Sequence, residues 1–153
     1  MIIWIKLDFK QLIKDGKNYS WPRPWCCSSC GKRLWGHGYV ERYFEEAEQR
    51  CWIKRYYCPG CHRVVTMRPQ DYWPRFYHIS KTIRWVLSYY QKEKHWPKEV
   101  SRQTGGHWKR HLENQIEKVM GLKTQLFPTG FEGLIKQGLV PVSRSKVSIP
   151  RRC

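Results

Sequence analysis

Acidic side chains are scarce in this chain and long apolar runs are missing. Asp and Glu together number 12 against 29 Lys and Arg. The only aspartates are Asp8, Asp15 and Asp71, each in a different local setting. Catalytic two-metal sites gather several carboxylates on one folded domain, and three scattered aspartates do not make such a set. No P-loop, GxSxG or HExxH string occurs, which removes the commonest phosphate-cradle, serine-elbow and metalloprotease chemistries. His78 and His95 each stand beside an aromatic residue and read as connector or surface residues rather than catalytic bases. The short apolar start, MIIWIKLDF, is broken by Lys6 and Asp8 and resembles neither a signal peptide nor a membrane span. The expectation is a chain that is not an enzyme and does not enter a membrane.

What is present points elsewhere. At 153 residues the chain has the size of one domain or two small ones. Its formal charge of +17 favours a polyanionic partner, chiefly nucleic acid or an anionic membrane surface. Nine Trp, nine Tyr and five Phe make 15% of the residues aromatic, so many rings must pack between small modules or lie on a surface. Seven cysteines are an odd number, and four sit in metal-type pairs. That usage suits metal binding in a reducing compartment, the cytoplasm or nucleoid, rather than a disulfide framework.

The pairs are Cys27 and Cys30 in CSSCG, and Cys58 and Cys61 in CPGCH. Two CxxC hooks offer four thiolates, the closed tetrahedral set of a structural zinc site, and Gly31 and Gly60 supply freedom for tight turns. Cys26 would need a three-residue gap and is the weaker first ligand. Cys51 falls within a strand and reads as a small buried residue, and Cys153 as a free thiol. His62 follows the second hook and reads as a polar neighbour, although it is a competing donor. Four protein ligands leave no position for a catalytic water, so the ion supplies folding energy and not chemistry.

Read in order, residues 1–8 form a strand and Phe9 to Lys14 a helical turn stopped by Asp15-Gly16. KNYSWPRPW is a proline-stiffened approach to the first hook, with Trp21 and Trp25 expected to pack on the ribbon rather than stack on bases. LWGHGYVERYF and CWIKRYYC make a hairpin, and Glu41, Glu45, Glu46 and Glu48 gather at its solvated tip. HRVVTMRP makes a third strand, giving a small antiparallel sheet with the ion at one end. After an aromatic connector, PQDYWPRFYH, helical spacing begins with Ile79, Ile83, Val86, Leu87 and Tyr90 on one face. This predicts a helix over 79–94, a second from Pro97 over 97–103 that Thr104-Gly105-Gly106 breaks, and a third over 107–120. The third buries Trp108, Leu112, Ile116 and Val119 and ends at Gly121. A short helix is expected between Gly130 and Gly138, and PVSRSKVSIPRRC reads as a mobile basic tail.

The fold class is thus small α+β: a four-cysteine zinc ribbon of antiparallel strands followed by a three-helix, helix-turn-helix-like module. The divisions are 1–20 for the first strand and turn, 21–78 for ribbon and connector, 79–121 for the helices, and 122–153 for the short helix and tail.

WPRPWCCSSCGKRLWGHGYVERYF followed by IKRYYCPGCHRVVTMRPQDYWPRF resembles the zinc-ribbon segment that opens many bacterial insertion-sequence transposases and transposon-associated proteins. That pattern runs CPxCG, HGY and an Arg, then RRYRCxxCG and a proline-rich aromatic segment leading to helices. Cys27, Cys30, His37-Gly38-Tyr39, Arg42, Arg55-Tyr56-Tyr57, Cys58 and Cys61 match it. Cys26-Cys27-Ser28 stands where CP is usual and His62 where Gly is usual, and neither departure removes a ligand. The match covers residues 21–78. The resemblance implies a zinc ion on the four cysteines and a following helix-turn-helix that binds transposon-end or operator DNA. Ribonuclease-H-like transposases carry three carboxylates on a large separate domain, for which no room remains here.

If the third helix enters a groove, His107, Arg110, His111, Asn114 and Lys118 lie on its face away from the stripe. Arg suits guanine, Asn adenine and Lys phosphate. Arg55, Arg63, Arg151 and Arg152 would add salt-sensitive backbone affinity. The leading expectation is a non-catalytic zinc-ribbon DNA-binding protein, an accessory or regulatory factor of a mobile element, acting on double-stranded DNA or tethering a separately encoded recombinase. Its rivals are a protein-interaction module, an RNA or single-strand binder, and a degenerate transposase remnant.

Overall fold

The computed structural model describes residues 1–121 and 125–149. The chain divides into two compact units, Met1–His78 and Ile79–Cys153. The described residues hold a four-stranded sheet and four α-helices, a small α+β architecture.

In the first unit, β1 (Ile2–Ile5) and α1 (Phe9–Asp15) precede β2 (Trp35–Arg42), β3 (Cys51–Tyr57) and β4 (Val64–Pro69). The order across the sheet is β1-β4-β3-β2. β2 and β3 pair antiparallel from Trp35 opposite Tyr57 to Arg42 opposite Cys51, with a register shift between Gly36 and Tyr39 at the Gly-His-Gly break. β4 returns antiparallel to β3, with Tyr56 opposite Val65.

The first strand departs from the expected antiparallel sheet, because β1 lies parallel to β4, with Ile2 opposite Thr66 and Ile5 opposite Pro69. A parallel partner needs a long connection, and α1 with the β2–β3 hairpin provides it. The pairing covers the outer edge of β4, whose backbone groups would otherwise stand unpaired: Thr66 N–H donates to the Met1 carbonyl at 2.9 Å and Gln70 N–H to Ile5 at 3.0 Å. α1 is short because its signals are close together. The Asp8 carboxylate accepts from Gln11 N–H at 3.1 Å, and Gly16 ends the helix at φ 55°.

Ile53 and Tyr56 are both buried. They differ in parity along β3, so both faces of this central strand are covered. Phe9, Phe44 and Tyr72 pack ring against ring, with centroids 4.9–5.9 Å apart. That cluster revises the picture of the acidic hairpin tip. Phe44 and Ala47 are buried within it, and the Glu45 and Glu46 N–H groups donate to the Tyr77 carbonyl and the Tyr72 hydroxyl, each at 3.1 Å. The tip is therefore fastened to the connector, and its carboxylates stand at the rim. Arg68 fastens the connector from the other side: its buried Nη2 donates to the carbonyls of Trp73 at 2.9 Å and Phe76 at 3.2 Å.

In the second unit, α2 (Ser80–Glu93) buries Ile83, Val86 and Leu87 and ends with Lys94 at φ 62°. The expected separate helix over 97–103 is not formed. Residues 97–101 make a turn, Ser101 accepts from Thr104 N–H at 3.1 Å, and α3 (Arg102–Met120) runs through Gly105 and Gly106 without a break. Packing overrides the low helix propensity of glycine here. Trp96 stacks on Tyr90 with centroids 4.0 Å apart, and its ring lies so close to Gly105 that an added Cβ would collide with it.

Trp108, Leu112 and Ile116 form the buried stripe of α3, with Val119 half-buried at its end. α4 (Phe131–Lys136) buries Phe131 and Leu134. The stretch beyond it, expected to be mobile, is packed over its described part. Val140 and Val142 are buried, Leu139 bridges to Ser148, and the buried Gln115 amide donates to the carbonyls of Ser143 at 3.1 Å and Ser145 at 2.8 Å. Residues 150–153, the remainder of the tail, lie outside the described residues.

Candidate metal centre and basic faces

The two cysteine turns have the same backbone. In the first, Cys27 N–H donates to the Lys32 carbonyl and Gly31 N–H to the Cys27 carbonyl, both at 2.8 Å. In the second, Cys58 N–H donates to Arg63 at 3.0 Å and His62 N–H to Cys58 at 2.8 Å. The fourth residue after each leading cysteine is left-handed, Gly31 at φ 71° and His62 at φ 56°. Each turn thereby points both of its sulfurs the same way. The first turn lies ahead of β2 and the second joins β3 to β4, so the sheet brings them face to face.

The Sγ atoms of Cys27, Cys30, Cys58 and Cys61 all lie within 4.8 Å of one another. Cys30 and Cys58 are 3.3 Å apart, and Cys27 and Cys61 3.6 Å. Four sulfurs each ~2.3 Å from one central ion would be roughly 3.8 Å apart, whereas a disulfide needs about 2.05 Å. The cluster therefore suits a single metal ion. Cys26 is exposed and Cys51 is buried in β3; neither belongs to the group. His62 is also outside it, its Nδ1 being 2.6 Å from the Tyr57 hydroxyl.

The sulfurs differ electrostatically. The backbone N–H of Ser29, helped by that of Cys30, holds the Cys27 thiol down at about 6. Burial acts to raise Cys58, but the N–H groups of Cys61 and Gly60 and the Cys30 thiol outweigh it and hold Cys58 below its ordinary value. Burial, with the neighbouring sulfurs, pushes Cys61 up to about 12. Each turn thus contributes one sulfur inclined to be a thiolate. Protons shared among four such sulfurs are what a soft cation would displace. Arg63 Nη1 donates to Ser29 Oγ at 3.2 Å, linking the two turns.

The residues expected to meet nucleic acid fall into different settings. Arg110, Asn114 and Lys118 lie along α3, and all three are exposed. His107 and His111 are half-buried, their rings 4.2 Å apart in an edge contact. Burial lowers both imidazole pKa values, and the nearby charges of Arg144 and Arg110 lower them further. Arg63 is exposed but engaged between the cysteine turns. Arg55 is half-buried, with Nη2 3.4 Å from the Tyr39 carbonyl, so it braces the hairpin instead of standing free. Arg151 and Arg152 lie outside the described residues.

Two features were not singled out from sequence. Arg144 joins the His107–His111 pair only because the stretch after α4 folds back over Gln115, and nothing local in the sequence signals that. Trp25, expected to pack, is 94% exposed; the prolines on either side of Arg23 were the available signal. Two of the three aspartates are spent on α1, Asp8 as its cap and Asp15 accepting from the Gln11 amide. No helix among the described residues is long and apolar enough to cross a membrane. No protein-family model matches the chain, and neither a curated protein nor a solved structure matches it.

Proposed function

We propose that the four cysteines hold one structural zinc ion in a ribbon, and that the chain is a non-catalytic protein binding double-stranded DNA, an accessory or regulatory factor of a mobile element. Zinc is the assignment because four thiolates in a closed tetrahedral set match its preference and leave no open coordination position. Cys27, Cys30, Cys58 and Cys61 would hold the ion, which would supply folding energy to the sheet unit.

The observation that carries the DNA reading is the outer face of α3. Arg110, Asn114 and Lys118 stand clear of the buried Trp108–Leu112–Ile116 stripe, at the four-residue steps that place side chains on one helix face. An α-helix fits the major groove, where Arg reads guanine and Asn adenine, and Lys meets phosphate. Arg144 adds a cation beside that face, and the net charge of +17 favours the encounter. The mobile-element assignment rests on the ribbon pattern over residues 21–78.

Titration of labelled duplex, single-stranded DNA and RNA across a salt series tests this. The expected result is duplex affinity that falls steeply with salt and rises for particular sequences over a non-specific background. Arg110→Ala or Asn114→Ala should relax sequence preference, whereas Lys118→Ala should weaken all duplexes alike. Absence of binding at moderate salt would remove the nucleic-acid reading and leave a module that grips another protein.

A further inference from the structure

Beside the first cysteine turn, Arg23, Pro24, Trp25, Gly31 and Arg33 line an open cleft of about 550 Å³, within the roughly 300–1,000 Å³ of small-ligand sites. We propose that this cleft is a stacking site for an unpaired nucleobase of a single strand, with Arg23 and Arg33 meeting the flanking phosphates.

Trp25 presents nearly its whole ring to solvent, an unusual setting for a residue that is highly buried on average. Pro22 and Pro24 restrict the backbone approaching the ring, so little freedom is lost when a ligand arrives. On the other side, Gly31 contributes no side chain, and an added Cβ there would meet nothing within 4 Å. The turn that positions the sulfurs thus also leaves the cleft open. The charge selects the occupant. Among the described residues no acid lines the cleft and neither arginine forms an ion pair. An aromatic plane flanked by two guanidinium groups fits a base with its neighbouring phosphates. A base inside a duplex offers no free face, so the occupant is single-stranded. The inference concerns the sheet unit and does not depend on the reading of α3.

The test is titration of the full chain with short oligothymidylate, oligouridylate and a blunt-ended DNA duplex, for the wild type and for Trp25→Ala, Trp25→Phe and the Arg23→Ala/Arg33→Ala pair. Trp25→Ala should weaken single-strand binding about 5- to 150-fold and leave duplex affinity unchanged. Trp25→Phe should recover most of the loss, and the arginine pair should flatten the salt dependence by about 1.4 in log–log slope. Tighter binding of oligouridylate than oligothymidylate would identify RNA as the strand, and the reverse DNA. An unaltered single-strand affinity in Trp25→Ala, or an equal loss on the duplex, overturns the proposal. Because Arg110→Ala and Asn114→Ala act on the duplex, failure of one reading is distinguishable from failure of the other.

Discussion

Gly31 and His62 hold equivalent places in the two cysteine turns. Each lies four residues after the leading cysteine, each donates its N–H to that cysteine's carbonyl at 2.8 Å, and each is left-handed, at φ 71° and 56°. Glycine takes this conformation freely, and histidine is among the side chains that tolerate it. His62 is thereby explained as a backbone solution for the turn, held by the Tyr57 hydroxyl 2.6 Å from Nδ1, and not as a fifth donor. His62→Gly should keep full metal content and change stability by no more than about 1 kcal/mol. His62→Val should destabilise by about 1–3 kcal/mol, because a β-branched side chain is a genuine outlier in that region. Metal analysis and denaturant unfolding of both variants check this, and loss of metal from His62→Gly would make His62 a ligand.

Gly105 and Gly106 are adjacent in α3 and should respond oppositely to the same change. An added Cβ at Gly105 would collide with the Trp96 ring, whereas at Gly106 it meets nothing within 4 Å. Gly106→Ala should stabilise the helical unit by about 0.5–1 kcal/mol through helix propensity alone. In Gly105→Ala the same gain is opposed by an overpacking cost of about 1–3 kcal/mol, and the net effect should be destabilising. Thermal unfolding followed by helical circular dichroism separates the two.

The same glycines show where the sequence misleads. As a local signal, Thr104-Gly105-Gly106 reads as a break, and only the distant Trp96, stacked on Tyr90, explains why a helix runs through it. The strand pattern from Trp35 to Pro69 and the short helix after Gly130 were legible because hydrophobic periodicity and turn residues are local properties. So was the cysteine grouping, since the spacing within each pair sets its geometry. The parallel pairing of β1 with β4 was not legible, because nothing in Ile2–Ile5 names its partner. Nor was the docking of residues 141–149, which depends on one buried glutamine, Gln115, whose amide satisfies carbonyls about thirty residues away.

The His107–His111 pair gives the helical unit a pH dependence. Burial and the charges of Arg144 and Arg110 lower both imidazole pKa values in the folded state. The unfolded chain therefore binds more protons around the ordinary histidine value, roughly 6.5. Stability should be complete above that pH and decline as pH falls through it toward the lowered folded values. Unfolding of the helical signal at neutral and mildly acidic pH measures the effect. The double variant His107→Gln/His111→Gln should flatten it, and an unchanged pH profile in that variant would assign the dependence elsewhere.

The four-sulfur cluster has a direct assay in the elemental analysis of the purified protein and three cysteine variants. The wild type should carry one zinc per chain. Cys26→Ser and Cys51→Ser should retain it, since neither sulfur belongs to the cluster. Cys58→Ser should lose the ion and, with it, the folded sheet unit. A wild-type protein with less than a stoichiometric amount of metal, or a Cys58→Ser protein that keeps both its ion and its fold, would contradict the assignment of Cys27, Cys30, Cys58 and Cys61 as a structural metal centre.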